Sequence, residues 1–546
     1  MSVSGGLTAE ALLQIEGGAS ATDDLVERAG FEVVFSGGAA SGDIVQSGGT
    51  LFLNSGATAS DETVLSGGTL AYGGNLSGDL TVTFAPVTNA TVLGPATVET
   101  VGVIELYDAV VLSGVTVSLG TETQSYDLSV SKGAVLQGAG FLEGEDSVAG
   151  SVGGVTVTHG ELTLLSGGTA SGVTAVLRAT IQVNSGASAT GTVVSSGGAL
   201  LDYGTTTGTV TIGGGVADVY AAASGDIVES GGKEAIRSGG AASAVQVLSG
   251  GTLYVLASAT ATDTVVSGGG KEQISSGGVA VETTMLSGGV EYISSGGLAN
   301  HGVVSSGGVE AIYSGGTAAD LTLLSGGVVI DNGQVRVAGA GTLAGILSGS
   351  GEITQLGGGD LLISGVGAAF KGRAVISGGT IELATAGALG AGSVTFVEPT
   401  TGSAVLQIDA GDAPTAGGTF ANVISNFSGA NEDIDLRSIA FVAGATATVM
   451  GSPLVLSDGG NTYTFNIAGS TAGAYPVLSD GHGGTLIDPT TAAAHKAVDP
   501  HVLAFAHAAA AFAPSGAANT ALVSSTSPTA QTPFAHATAS ATAGHF

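Results

Sequence analysis

From about residue 220 to 330 the apolar positions of this chain repeat with a fixed 19-residue period. Ile236, Val255, Ile274, Ile293 and Ile312 form one row, and Val247, Val266, Met285, Val304 and Leu323 form a second. Ala242, Ala261, Ala280, Ala299 and Ala318 form a third, as expected where a wall is narrow and a larger side chain would clash inside. Glycines punctuate the rows. The last glycine of each S-G-G, or of S-G-G-G at 267 to 270, falls at Gly232, Gly251, Gly270, Gly289, Gly308 and Gly327. A further turn sits at Gly240, Gly278, Gly297 and Gly316, with Ala259 in the missing place, so each unit divides into steps of 8 and 11 and two corners per unit are predicted. Segments of roughly four to six residues between such corners are too short for helices, and their β-branched residues favour strands.

One such unit cannot bury its own inner face. Stacking units at about 4.8 Å pairs every strand with its neighbours and continues the core. Each buried Ile, Val or Leu then contributes roughly 1.5 to 3 kcal/mol, and stability accumulates coil by coil. The predicted fold is all-β: a parallel β-helix, or β-solenoid, of the pectin-lyase-like kind, in which Ile274 and Ile293 are vertical neighbours. The same phase is legible in S-G-G at 36 to 38, 47 to 49, 66 to 68, 166 to 168 and 196 to 198. Roughly nineteen coils predict a rod on the order of 90 Å long.

The pattern divides the chain into an N-terminal cap or first coils at 1–30 and a solenoid at 31–394, irregular at 75–160. A C-terminal β cap module follows at 395–489 and a low-complexity tail at 490–546. In the cap, two apolar runs joined by Asp458-Gly459-Gly460 signal a hairpin. An antiparallel cap suits the last coil, whose open edge otherwise invites aggregation. The tail is rich in Ala, Thr, Ser, His and Pro and is expected to be disordered, with one short helix around Val502 to Phe512.

Composition narrows the function classes. Only 11 Lys and Arg oppose 44 Asp and Glu, a net charge of −33, so phosphate backbones would be repelled and nucleic acid is excluded as a partner. No run of apolar residues approaches the roughly 18 to 20 needed for a membrane helix. The chain has no cysteine, which suits export. Its N-terminal residues, MSVSGGLTAEALLQIEGG, lack the basic start and apolar run of a secretory signal peptide.

Units such as VEYISSGGLANHGVVSSGG and KEAIRSGGAASAVQVLSGG resemble the 19-residue repeats of AIDA-type autotransporter adhesins, closely over 220–330 and more loosely over 30–215. The resemblance implies a right-handed β-helical passenger, at the cell surface of a Gram-negative bacterium or secreted from it, with roles in adhesion, autoaggregation or biofilm formation. It also implies O-heptosylation of repeat serines and threonines. Carried onto this chain, the candidate acceptors are the turn serines Ser230, Ser238, Ser249, Ser276, Ser287, Ser295, Ser306, Ser314 and Ser325. The family's translocating barrel, with its alternating strands of about ten residues and its aromatic girdles, is not present in the sequence.

Other constellations carry less. Glu234, Glu272, Glu291 and Glu310 share one phase, interrupted by Leu253, and predict a carboxylate stripe. Like charges about 5 Å apart repel by only about 0.8 kcal/mol in water, so a solvated outer face accounts for the stripe without a calcium ladder. Arg178, Arg237, Arg336 and Arg373, with Lys233, Lys271 and Lys371, fall in different phases, and no coil is expected to gather them with Asp or Glu as a polysaccharide lyase or epimerase requires. Five of the eight histidines, His495, His501, His507, His536 and His545, lie in the tail at spacings unsuited to metal capture. The expectation is therefore a structural adhesin with no enzymatic activity, no cofactor and no metal site. Its partners would be cell-surface or extracellular-matrix components, carbohydrate among them, and further copies of itself. The alternatives are a carbohydrate-active β-helix enzyme and a self-assembling extracellular fibre subunit.

Overall fold

The structure, a computed structural model, describes residues 2–3 and 12–489, apart from Ser47, Ser55, Asp61, short gaps between 65 and 108, Ser196 and Thr471. The tail at 490–546, with its expected helix and five histidines, lies outside the described residues, as do the S-G-G triplet at 66 to 68 and the serines of those at 47 and 196. Within residues 1–494 the described chain is all-β, with no helix, and winds as about 18 turns of parallel solenoid.

The strictly periodic coils show how the sequence makes the turn. One coil contributes strands Thr252–Val255, Thr260–Thr262 and Val265–Val266, and the next contributes Lys271–Ile274, Val279–Val281 and Thr284–Met285. Each strand pairs in parallel with its counterpart one period on, so Val255 lies on Ile274 and Ile274 on Ile293, as the repeat predicts. The alanine row stacks likewise on the three-residue wall, and all five alanines are buried.

Each coil has three corners, not the two that glycine spacing predicted. The third joins the three-residue strand to the two-residue strand, at Ala244, Asp263, Glu282, His301 and Asp320, all with φ between 50° and 59°. Earlier coils put Gly172, Gly191, Gly208 and Gly225 at this corner. The left-handed conformation costs an L-residue roughly 1–2 kcal/mol. Stacking imposes it here, because the N–H groups of Ala244, Asp263 and Glu282 bond the carbonyls of Thr262, Val281 and Asn300 in the following coil at 2.8–3.0 Å. No glycine marks this corner in the later repeats, so the letters alone do not announce it.

The two glycines of S-G-G have different physical reasons. The first adopts a left-handed φ, 77° at Gly250 and 79° at Gly288. The second does not, but a Cβ on Gly251 or Gly289 would lie 2.0 Å from the carbonyl oxygen of Val228 or Val266 in the neighbouring coil.

The repeat also changes walls along the chain. Ala40, on a three-residue strand of the first coils, heads a column that runs without a break through Ala59, Leu76, Val92, Val111, Val130, Val148, Leu164, Val183, Asp202 and Val219 to Ile236, on a four-residue strand. Some register partners in the irregular segment stand closer than a full period, as Leu76 does to Val92 and Val148 to Leu164. The long strands Phe141–Val148 and Thr156–Leu164 run round a corner, each pairing with strands of two walls. Shortened coils thus move the repeat by one wall.

At the C-terminal end parallel pairing continues to Ala404–Ile408 on Glu432–Ala440 and to Val423–Ser425 on Asn461–Ala468. An antiparallel meander follows, of Thr446–Val449, Pro453–Asp458 and Asn461–Ala468. Its hairpin closes at Asp458 and Asn461 over Gly459-Gly460, whose φ values of 58° and 92° are those of the primed turn that fits strand twist. Gly484–Ile487 adds antiparallel to Glu432–Ala440 and occupies the edge left by the last coil.

Candidate functional site

The outer corners carry the serines singled out by the repeat. All nine, Ser230, Ser238, Ser249, Ser276, Ser287, Ser295, Ser306, Ser314 and Ser325, are exposed. They occupy two edges of the periodic coils, and corner backbones bond directly from coil to coil, Gly288 N–H to Gly307 O and Gly307 N–H to Gly326 O at 2.8 Å each. Serine hydroxyls therefore recur along an edge at the strand spacing of about 4.8 Å. Outward tyrosines add flat surfaces: Tyr203 stacks on Tyr220 at 4.6 Å between ring centroids, and Tyr292 on Tyr313 at 6.3 Å.

The glutamate stripe lies inside. Glu234, Glu272, Glu291 and Glu310 are fully buried, which overturns the expected solvated face. The reason is strand alternation: Glu272 and Ile274 stand two residues apart on one strand and so share a face, and that face is the core. The spacing E-x-I is a usable signal of it. The interior threonines give partial compensation, Thr283 donating its hydroxyl to Glu272 at 3.0 Å. Burial pushes Glu272 up to about 7 despite the Thr283 and Thr264 hydroxyls, and Glu310 up to about 8 with help from Asp331. Burial, then the neighbouring Glu310 and Glu272 charges, raises Glu291 well above the ordinary carboxyl value.

Other interior acids have structural partners. Asp202 and Asp331 interrupt the aliphatic column at coils whose corner is shortened, and each accepts the N–H of the glycine two residues on, Gly204 and Gly333, at 2.9 Å. In the first coils Asp24, Glu32 and Asp43 bring one carboxylate oxygen each within 4.8 Å of one another, all buried, a spacing that a shared cation could use. Asp43 accepts the N–H of Asp24 at 2.7 Å. Burial and then Asp43 push Glu32 up to about 10, so it keeps its proton beside Asp43, itself raised by burial to about 6.

Basic residues expected to be scattered, Arg336 and Arg373, come together on one face. A polar groove of about 650 Å³ lies across the coils from 314 to 393, its walls including Asn332, Gln334, Ser350, Glu352, Lys371 and Arg373. Gln334, Glu352, Arg373 and Ser393 are register partners in successive coils, and Arg336 stands two residues along from Gln334 on the same outward face. Arg373 Nε donates to Glu352 at 2.8 Å, and Thr354 donates to the other carboxylate oxygen at 2.9 Å. Partial burial works against ionisation of Glu352, but the Arg373 and Thr354 hydrogen bonds and the Arg373 and Arg336 charges outweigh it and hold the carboxyl below its ordinary range. These coils therefore do gather cations with an acid. The steps from Gln334 to Glu352, from Glu352 to Arg373 and from Arg373 to Ser393 all differ in length, so a fixed period could not align them.

No protein-family model and no curated protein matches the chain. Among solved structures it is similar to a crystal structure described as the TibC-catalyzed hyper-glycosylated TibA55-350 fragment, at 23% identity and a TM-score of 0.25, over 61% of this chain and 99% of that one.

Proposed function

We propose that this chain is a non-enzymatic adhesin of the cell surface or of the secreted fraction, serving attachment, autoaggregation or biofilm formation through a repetitive, O-glycosylated solenoid. The observation that carries the reading is the outer register: exposed corner serines recur coil after coil on a backbone hydrogen-bonded from each turn to the next. Such a scaffold holds many copies of one weak contact at fixed spacing, and linked weak contacts sum to avidity with any partner surface of matching extent. The 19-residue units, similar to AIDA-type repeats, support the same reading. The stacked glutamates Glu234, Glu272, Glu291 and Glu310 support it too, because they face the core, where no polysaccharide substrate reaches them.

Deleting the gene in the producing bacterium should reduce surface attachment and cell aggregation, and re-expression should restore both. Unchanged attachment and aggregation would overturn the proposal. Mass spectrometry of the native protein should find saccharide mass on peptides containing Ser287, Ser306 and Ser325. Incubation with polyuronates should yield no unsaturated product, and accumulation of one would instead favour a lyase.

A further inference from the structure

The groove between residues 314 and 393 has a chemistry that the corner serines do not share. The chain carries 11 Lys and Arg in all, against 44 Asp and Glu. Three of the 11, Arg336, Lys371 and Arg373, stand on or beside this one groove. Arg373 is committed to Glu352. Arg336 and Lys371 are exposed, and neither has an ion-pair partner among the described residues. Arg336, Lys371 and Arg373 set three positive charges against the one carboxylate of Glu352, which Arg336 and Arg373 share, and that surplus in a strongly negative molecule draws counter-charge from outside, an attraction that a concave site concentrates.

The remaining groups narrow the ligand class. Asn332, Gln334, Ser350 and Ser393 offer carboxamide and hydroxyl donors and acceptors, suited to a polyhydroxylated ligand. The volume of about 650 Å³ falls within the roughly 300–1,000 Å³ of small-molecule sites. Tyr313, next in the chain to groove-lining Ser314, is 50% exposed and stacked on Tyr292, a ring face at the groove's margin. The Glu352–Arg373 pair, tied down by Thr354, gives the groove a fixed floor.

We propose that this groove binds an anionic saccharide, with Lys371 and Arg336 pairing its carboxylate or sulfate groups and the amide and hydroxyl side chains holding its ring hydroxyls. Binding is reversible, and no bond is made or broken. The site owes nothing to glycosylation of the corners.

The test is isothermal titration of the purified full chain with short oligogalacturonates, a sulfated oligosaccharide and a neutral dextran oligosaccharide. Binding of either anionic ligand, at least tenfold tighter than that of dextran and weakening with added salt, is expected. The double variant Arg336→Ala/Lys371→Ala should lose at least tenfold in affinity. Both side chains are exposed, so circular dichroism should stay unchanged. Arg178→Ala, outside the groove, should bind as wild type. Glu352→Gln, which releases Arg373, should bind the anionic ligand more tightly. Equal binding of all three saccharides, no binding, or full affinity in the double variant overturns the proposal. So does light scattering that reveals self-association lost in the double variant, which would make a second copy of this chain the occupant. The assay uses no cells, so its failure leaves the attachment experiment to decide the adhesin reading separately.

Discussion

Glu291 lies in register on Glu272 in the neighbouring coil, both side chains fully buried, so the interior of the solenoid holds carboxyl groups stacked one per turn. Glu310 extends the column on one side, while Leu253 and Val329 occupy the same column elsewhere. A leucine and a glutamate thus serve the same place. What separates them is a proton, since a buried carboxylate is far costlier than a buried carboxylic acid.

That proton makes stability depend on pH. Glu272 and Glu310 move from an ordinary 4.5 to about 7 and about 8 through burial. A raised folded value means that the fold prefers the protonated form. The linked stability is complete below the ordinary 4.5 and is lost as pH climbs through about 7 to 8. Each group contributes a slope of about 1.4 kcal/mol per pH unit where it titrates in the unfolded chain alone. The melting temperature should therefore fall between about pH 5 and pH 8.5. The triple variant E272Q/E291Q/E310Q should flatten that slope and melt above wild type at the alkaline end. Equal slopes in the two proteins would show that surface charge alone sets the dependence.

Gly302 interrupts an interior file of hydroxyls, Thr264 and Thr283, opposite the glutamates. A Cβ there would sit 3.7 Å from Glu310 Oε2 and no closer than 3.6 Å to Leu321 and Met285, so it would make ordinary contacts. Gly302→Thr should place a donor beside Glu310 and raise stability to urea by about 1 kcal/mol, with the pH midpoint of that stability shifted downward. A destabilised variant would mean that the hydroxyl does not reach the carboxyl.

Two corner substitutions should act in opposite directions. Gly251→Ala forces a methyl to within 2.0 Å of Val228 O, and the coils must part to admit it, a loss of several kcal/mol by analogy with overpacking. Ala244→Gly relieves a residue held at φ 55° and should be neutral to stabilising by about 1 kcal/mol. Chemical denaturation of the two variants side by side distinguishes clearance from backbone conformation.

Ile293 sits between Ile274 and Ile312 with no exposure. Ile293→Ala should cost about 2–5 kcal/mol. Because each coil touches chiefly its neighbours, the loss of amide hydrogen-exchange protection should concentrate in adjoining turns and fade along the stack. Uniform loss over the whole solenoid would indicate a single cooperative unit.

The repeat by itself determined the coil, the register and most of the core, because identical letters one period apart become identical places once strands stack. Val255, Ile274 and Ile293, the alanine row and the Gly459-Gly460 hairpin can all be read this way. Periodicity ranks positions but does not say which side of a strand is inner, so the shared phase of the glutamates alone leaves Glu272 on either face, and only its alternation with Ile274 puts it inside. Nor does periodicity reveal a corner made by Ala244, Asp263 and His301 without glycine, since the strain there is imposed by hydrogen bonds from the next coil. Only the tertiary structure could carry Ala40 into the column of Ile236, or bring Gln334, Glu352 and Arg373 onto one face. Those alignments depend on coil lengths summed along the chain, and a small change in the length of a turn moves a side chain to a different wall.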